Sequence, residues 1–389
     1  MKHSQLNSPV GPTLGTDRIA GLDITRGVAI LGVLLAYTVW SLGSPPAETW
    51  SALDRVLQVI MDVFVDGKFV TTFSFLFGVG VAQQWRRWEA STPNVKALHL
   101  RRMGFLLAIG LAHGALLRNG DILAPYAILG MLLLAFRNVS FKKSAVIAVL
   151  LFVTPWVVRA LVATLQLPWP ERPSGTAGSY WADNLLYLRY WYLTNPLVVW
   201  PQLLGLMIMG LAAGRARLFE RIAGSRMLAR RALAWSASLA VGTYVLLMAC
   251  VTLWHSENLV RNLTVMAIYH TSAVPLAGTY ASLVLVLAQR PAMAGLLSPL
   301  RTLGRMAFTN YLLQAIVVPF CLIFGLFDKV TPTRGLLLSV AVAVIQVRFS
   351  TWWLSRYQMG PFERLWRRFT YGSTQAAASA SRARVATSQ

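Results

Sequence analysis

The chain has 389 residues, is 56% hydrophobic and only 13% charged, against about 25% charged for a soluble domain. That balance excludes an ordinary soluble enzyme and points to an all-α polytopic membrane protein. The net charge of +22 does not signal nucleic acid, because the basic residues fall in short bursts between apolar runs and not on one soluble face.

Residues 1–20 are polar, with prolines and glycines, and read as a mobile arm. They lack a basic segment leading straight into an apolar core, as a cleaved signal would need. A single membrane domain is expected over residues 21–372. Its first span is placed at residues 27–42. A longer connection follows, with an amphipathic or re-entrant helix near residues 53–65, and a second span at 69–85. Residues 103–117 and 122–136 are two apolar runs separated only by Arg118-Asn119-Gly120-Asp121. Asn-Gly favours a tight reversal, so the two runs form an antiparallel helical hairpin. Further spans are expected at 144–165, 196–213, 232–254, 263–288, 306–327 and 335–353, near the ~20 residues that a bilayer core demands. The total is about ten. Residues 373–389 read as a disordered basic tail.

Most of the 36 basic residues fall on one side if both termini are cytoplasmic. Arg86, Arg87, Lys96, Arg101 and Arg102 share one such loop, and six arginines between 215 and 231 share another. This gives a protein of a bacterial-type inner membrane with both termini inside. The Asn119-Gly120 turn and His113 then lie toward the outer half. Cys250 and Cys321 sit inside apolar runs, with neither metal spacing nor a disulfide framework, and no metal site is expected.

Polar groups inside apolar runs are the candidate site residues. His113, on the first helix of the hairpin, is either a base or a packing anchor bonded to Tyr126 on the second. Along a continuous helix Asp121 lies eight residues and about 12 Å further on. It is therefore expected to cap the second helix rather than to touch His113. Asn310 and Gln314 in the ninth span face Arg348 and Gln346 in the tenth. An Arg348 network is expected there, either as structural glue or as a binder of carboxylate or phosphate. Asp62, Asp66 and Lys68 precede the second span and line an outer vestibule or a solvated helix end. Small residues such as Gly78 and Gly80 read as close helix packing. Glu363 and Arg367 are spaced as an i, i+4 pair on a basic, inner-face segment suited to anionic lipid. His270 is a reserve candidate in the eighth span.

Five segments carry a resemblance: LDITRGVAILG (22–32), GKFVTTFSFLFGVG (67–80), GLAHGALLRNGDILAPYAILG (110–130), GRMAFTNYLLQ (304–314) and GPFERLWRRFTYG (360–372). Together they resemble the YeiB-like membrane proteins, whose C-terminal half is a domain of unknown function. Such proteins are often grouped with transmembrane acyltransferases of the heparan glucosaminide acetyltransferase type, and older labels call them transporters. The resemblance implies that Asp23 and Arg26 serve cofactor binding, with Arg26 presented to the phosphates of acetyl-CoA or another acyl-CoA donor. An ion pair at the membrane edge is the simpler reading of the same two residues. In the related acyltransferases, the position eleven residues after this arginine is a catalytic histidine or asparagine. Here it is Tyr37, a poor base at neutral pH with a pKa near ~10, so His113 is the expected general base and Tyr37 an orienting group. Two functions follow: acyl transfer from a cytoplasmic acyl-CoA to a small-molecule or envelope-glycan acceptor at the outer side, or transport of a small molecule. The tyrosine at position 37 favours the second.

Overall fold

A computed structural model describes residues 20–41, 45–117, 121–170, 180–324 and 330–372. The expected arm, the basic tail and the Asn119-Gly120 turn lie outside the described residues. Among the described residues every regular element is helical. In order these are α1 (Ala20–Ser41), α2 (Ala52–Phe64), α3 (Lys68–Glu89), α4 (Val95–Leu116), α5 (Leu123–Leu132), α6 (Phe141–Thr164), α7 (Tyr180–Val198) and α8 (Trp200–Arg215). Then come α9 (Leu218–Ala223), α10 (Arg226–Leu253), α11 (Leu259–Ala288), α12 (Ala294–Arg305), α13 (Ala307–Ile323) and α14 (Pro332–Arg356). Residues 361–372 form a last helix, α15.

Among the described residues, five helices are long and apolar enough to cross a membrane: α1, α6, α10, α11 and α14. The pair α7 and α8 qualifies together, bent by 60°. Pro201 stands in the first turn of α8 and has no N–H with which to continue the ladder from α7. Ten spans were expected, and length with hydropathy supports five or six. The shortfall has a physical cause. α3 carries Thr, Ser, Gln and Arg along its length. α4 opens with Lys96, His99, Arg101 and Arg102. α5 has only 10 residues, and α13 has 17. Each of the four also has a buried face, where neighbouring helices satisfy polar groups that lipid could not, as Tyr126 does for Ser74.

Much of the exposed apolar surface is on α6 and α10. Val146, Val149, Leu150, Val153 and Val157 of α6 are exposed, as are Leu239, Val241 and Val245 of α10. The core gathers Trp85 and Trp88 of α3, Leu98 and Phe105 of α4, Tyr126 and Leu129 of α5, and Met207 and Ile208 of α8. α3 and α8 approach so closely that a methyl on Gly78 would strike the Met207 carbonyl, and one on Gly210 the Phe75 carbonyl. The expected close packing is present at Gly78, whereas Gly80 faces the Arg26 guanidinium and not a neighbouring helix backbone.

The amphipathic helix expected near residues 53–65 is α2. Ser51 and Asp54 form a reciprocal cap at its start, and Asp54 Oδ1 also accepts the Thr333 amide of α14 at 2.9 Å. The amphipathic α12 and the aromatic α7 were not anticipated. α12 lies against α1, with Gly304 meeting the Asp23 backbone and Gly27 the Leu300 carbonyl.

Candidate functional site

α4 ends at Leu116, and Asp121 lies back against its last turns. Gly110 faces the Ala124 backbone with no room for a methyl, and a methyl on Gly114 would stand 3.2 Å from Asp121 Cβ. These two glycines, one turn apart, let the start of α5 lie on the side of α4. Asp121 Oδ2 accepts the Ala124 amide at 2.9 Å, which is the expected cap. Its other oxygen, Oδ1, lies 2.8 Å from His113 Nδ1. The separation of about 12 Å expected from a continuous helix is overturned, because the reversal carries Asp121 back beside His113.

Both side chains are buried, at 1% and 0% exposure. The N–H of the ring is not aligned on Oδ1, and neither Nδ1 nor Nε2 has an aligned hydrogen-bond partner. The contact is a close charge–dipole one, and the carboxylate beside Nδ1 assigns the ring proton to that nitrogen. Nε2 then keeps its lone pair. The ring rests against Tyr311 of α13, with centroids 5.3 Å apart.

The second helix that closes on His113 is α7. Leu188 reaches Gly114, and Asn184, Leu188 and Tyr192 share one face at i, i+4 and i+8. Tyr192 lies within electrostatic reach of Asp121. Asn184 Nδ2, Trp191 Nε1, Tyr192 Oη and Trp200 Nε1 are buried without a hydrogen-bond partner. Unpaired buried polar atoms are rare; His113 and Asp121 contribute three more where α4 meets the chain before α5. Asn184 and Tyr192 were missed in the sequence. The aromatic-rich run 180–192 held the signal, since its asparagine and tyrosine recur at helical spacing.

Tyr126 does not bond to His113, as the packing reading expected. Its hydroxyl is 2.6 Å from Ser74 Oγ and 3.2 Å from the Val70 carbonyl, which ties α5 to α3. Tyr37 is buried, and its hydroxyl donates to the Ala315 carbonyl at 3.4 Å, one turn along α13 from Tyr311. Asp23 and Arg26 form the expected pair, at 3.3 Å. Asp23 is buried, and the Arg26 side chain is 27% exposed, with its guanidinium beside Gly80 and near Arg102.

The Arg348 network is a correction. Asn310 Nδ2 donates to Ser350 Oγ at 3.0 Å, Gln314 Nε2 to Gln346 Oε1 at 3.0 Å, and Gln346 Nε2 to the Asn310 carbonyl at 2.9 Å. Gln314 also donates to the Ile30 carbonyl of α1 at 3.1 Å. Arg348 is exposed. Two residues past Gln346 on a helix is about 200° of rotation, so Arg348 turns outward as Gln346 turns in. Glu363 likewise does not pair with Arg367. Its Oε1 accepts the amides of Phe308 (2.9 Å) and Thr309 (3.0 Å).

At the opposite corner, Lys68 Nζ donates to the Asp62 carbonyl at 2.5 Å, and the Tyr269 hydroxyl donates to Asp66 Oδ2 at 2.9 Å. His270 packs its ring on Trp156 and Tyr269. This is a satisfied staple between α2, α3 and α11.

A family model described as "Protein of unknown function (DUF418)" matches residues 213–373. The uncharacterized protein YxaH of Bacillus subtilis (strain 168) is 31% identical, over 95% of this chain and 98% of its own. The uncharacterized YeiB of Escherichia coli (strain K12) is 28% identical, over 91% of this chain and 96% of its own. The chain belongs to the YeiB-like family. An uncharacterized 39.9 kDa protein encoded in the amylase 3′ region of Bacillus acidopullulyticus is 30% identical, over 91% and 94% of the two chains. The matched DUF418 region begins at the end of α8, so the His113–Asp121 pair lies outside it. The YeiB-like similarity that includes this pair is that of the full-length relatives.

Proposed function

We propose that this YeiB-like protein is an inner-membrane acyltransferase that moves an acyl group from a cytoplasmic acyl-CoA to an acceptor at the outer side. The observation that carries the reading is His113, with Asp121 at 2.8 Å from Nδ1 and Nε2 buried without a protein partner. A carboxylate 2.8 Å from Nδ1 favours the proton on that nitrogen, which leaves Nε2 to act as base, and it stabilises the imidazolium that forms. An acceptor hydroxyl or amine gives its proton to Nε2 and attacks the thioester carbonyl. The C–S bond breaks, and the thiolate of CoA takes the proton from Nε2.

The ten-span arrangement with both termini inside belongs to the same proposal, with α3, α4 from Met103 onward, α5 and α13 as interior spans. Arg26 and Arg102 then stand together at the inner ends of α1 and α4. From Arg102 to His113 is eleven residues, about 16 Å of helix, a depth suited to a donor entering from the cytoplasm. Tyr37 is less suited to orienting the acyl group, because its hydroxyl is directed at the Ala315 carbonyl.

A transporter is the second reading, because a buried His–Asp pair in a membrane protein also suits a proton relay. Titration calorimetry of the purified full chain with acetyl-CoA and longer acyl-CoAs separates the two. Binding, with free thiol released on addition of an acceptor, supports acyl transfer. If no acyl-CoA binds the wild type, the enzyme reading falls and the transporter replaces it.

A further inference from the structure

The helices α14 and α15 meet at a cavity of about 420 Å³ lined by Arg356, Arg364, Arg367 and Arg368, with Tyr357 and Gln358. Among the described residues no carboxylate lines it. The single acid of α15, Glu363, is turned away and spent on the first amides of α13. α14 carries no acid at all. Three of the arginines are steadied by aromatic faces: Arg356 on Trp352, Arg364 on Tyr357 and Arg367 on Tyr371. Stacking on a ring holds a guanidinium in place and leaves most of its N–H donors for a ligand, with Arg356 spending one on the Trp352 carbonyl at 3.3 Å.

The two helices that line this cavity also carry exposed apolar residues. Leu365 and Phe369, one turn apart on α15, are 47% and 58% exposed, and Trp352 is 49% exposed. The outer face of α14 continues this strip through Ile345 and Val344. α14 is one of the helices of membrane-crossing length, and the arginine cavity stands at its carboxyl end, where headgroups lie. Arg348, Trp352 and Arg356 follow one another at i, i+4 and i+8 on the exposed side. Arg348 has no protein partner among the described residues. The long side chain of an outward-facing arginine can extend toward an anion at the membrane edge.

We propose that the α14–α15 cavity is a binding site for an anionic phospholipid, with its phosphate among Arg356, Arg364, Arg367 and Arg368, its chains along Trp352, Leu365 and Phe369, and Arg348 reaching up to the same headgroup. A soluble phosphate compound matches the arginines alone. The exposed apolar flank and the outward Arg348 match a lipid. The site is independent of what His113 does.

The test uses the full chain in neutral detergent, with phosphatidylglycerol or phosphatidylcholine added and bound lipid counted by native mass spectrometry. Phosphatidylglycerol is retained and phosphatidylcholine is not. An arginine near an anionic surface contributes about fivefold in affinity, so Arg364→Gln with Arg368→Gln weakens retention roughly 25-fold, and Arg348→Gln alone about fivefold. Both arginines of the pair are exposed, and the Lys versions of the same double variant keep most of the binding, which separates lost charge from lost fold. Leu365→Ser with Phe369→Ser weakens lipid retention as well. Equal retention of the two lipids, or unchanged retention in the Gln variants, overturns the site. If inorganic pyrophosphate raises the melting temperature as much as phosphatidylglycerol does, the ligand is a soluble phosphate and the lipid assignment is wrong.

Discussion

Asp121 holds His113 and starts α5 with the two oxygens of one carboxylate: Oδ1 lies 2.8 Å from the imidazole Nδ1 and Oδ2 takes the Ala124 amide at 2.9 Å. The two roles separate on substitution. Asp121→Asn keeps an acceptor for the cap but removes the charge that steadies an imidazolium. It is expected to melt near the wild type and to lower the acyl-transfer rate by ~10²–10⁴, the usual range for a disabled general base. Asp121→Ala loses the cap as well, at about 1 kcal/mol, and melts lower. His113→Gln should match Asp121→Asn in rate. A fully active His113→Gln in acyl-CoA-loaded vesicles ends the base assignment.

Asn310 and Gln346 give a second test. Each is buried, and their amides bond across α13 and α14 to Ser350 and to the Asn310 backbone. Gln346→Leu leaves the Asn310 carbonyl and the Gln314 amide with one partner fewer, at a cost of about 1–3 kcal/mol. Arg348→Met touches none of these bonds and is expected to leave the melting temperature in lipid-free detergent within about a degree, as befits an exposed side chain with an effect inside ±0.5 kcal/mol. Equal destabilisation by the two changes would put Arg348 back into the network.

The contrast between these residues marks how far the sequence carries. The all-helical class, the helix at 52–64, the Asp23–Arg26 pair and the polar Asn310–Gln314 face were legible, because composition and helical spacing are local. Arg348 was misplaced because the pattern gives a residue's depth in a span but not which way it faces. A rotation of about 200° from Gln346 decided that. Asp121 was misjudged for a related reason. Counting residues along one axis measures distance only while the helix continues, and the reversal after α4 ends that. The α7 face with Asn184 and Tyr192 was missed because aromatic residues and a bend at Pro201 obscure a span of ordinary hydropathy.

Glu363 supplies a third prediction. It is remote in sequence from α13 but serves as its cap, accepting the Phe308 and Thr309 amides and the Thr309 hydroxyl (2.5 Å). Glu363→Ala orphans the first amides of α13 and is expected to cost about 1–2 kcal/mol, the upper part of the range for a lost cap. Glu363→Gln retains an acceptor and most of the stability. Thermal melts of the two variants check this, and equal losses would mean that the charge, not the cap geometry, is what α13 requires.

The last prediction concerns acid. His99 stands on the first turns of α4, ahead of Arg101 and Arg102 and outside its apolar part. Trp85 donates its indole N–H to Nδ1 at 3.1 Å, so Nδ1 is unprotonated and Nε2–H donates to the Gly130 carbonyl at 2.8 Å. The ring is neutral in this arrangement, and it ties α3, α4 and α5 together. Burial lowers its pKa from 6.5 to about 4, opposed by the Gly130 carbonyl and helped by the nearby Arg102 charge. The folded value lies below the unfolded one, so the unfolded chain takes up the proton first. The contribution of His99 is therefore complete above about pH 6.5, declines as the pH falls, and is gone near pH 4. At ~1.36 kcal/mol per pKa unit, the loss approaches about 3 kcal/mol. The melting temperature in detergent should fall between pH 7 and 4, and His99→Gln should melt lower at pH 7 with a flatter dependence over that window. The same slope in wild type and His99→Gln would assign the acid sensitivity to another group.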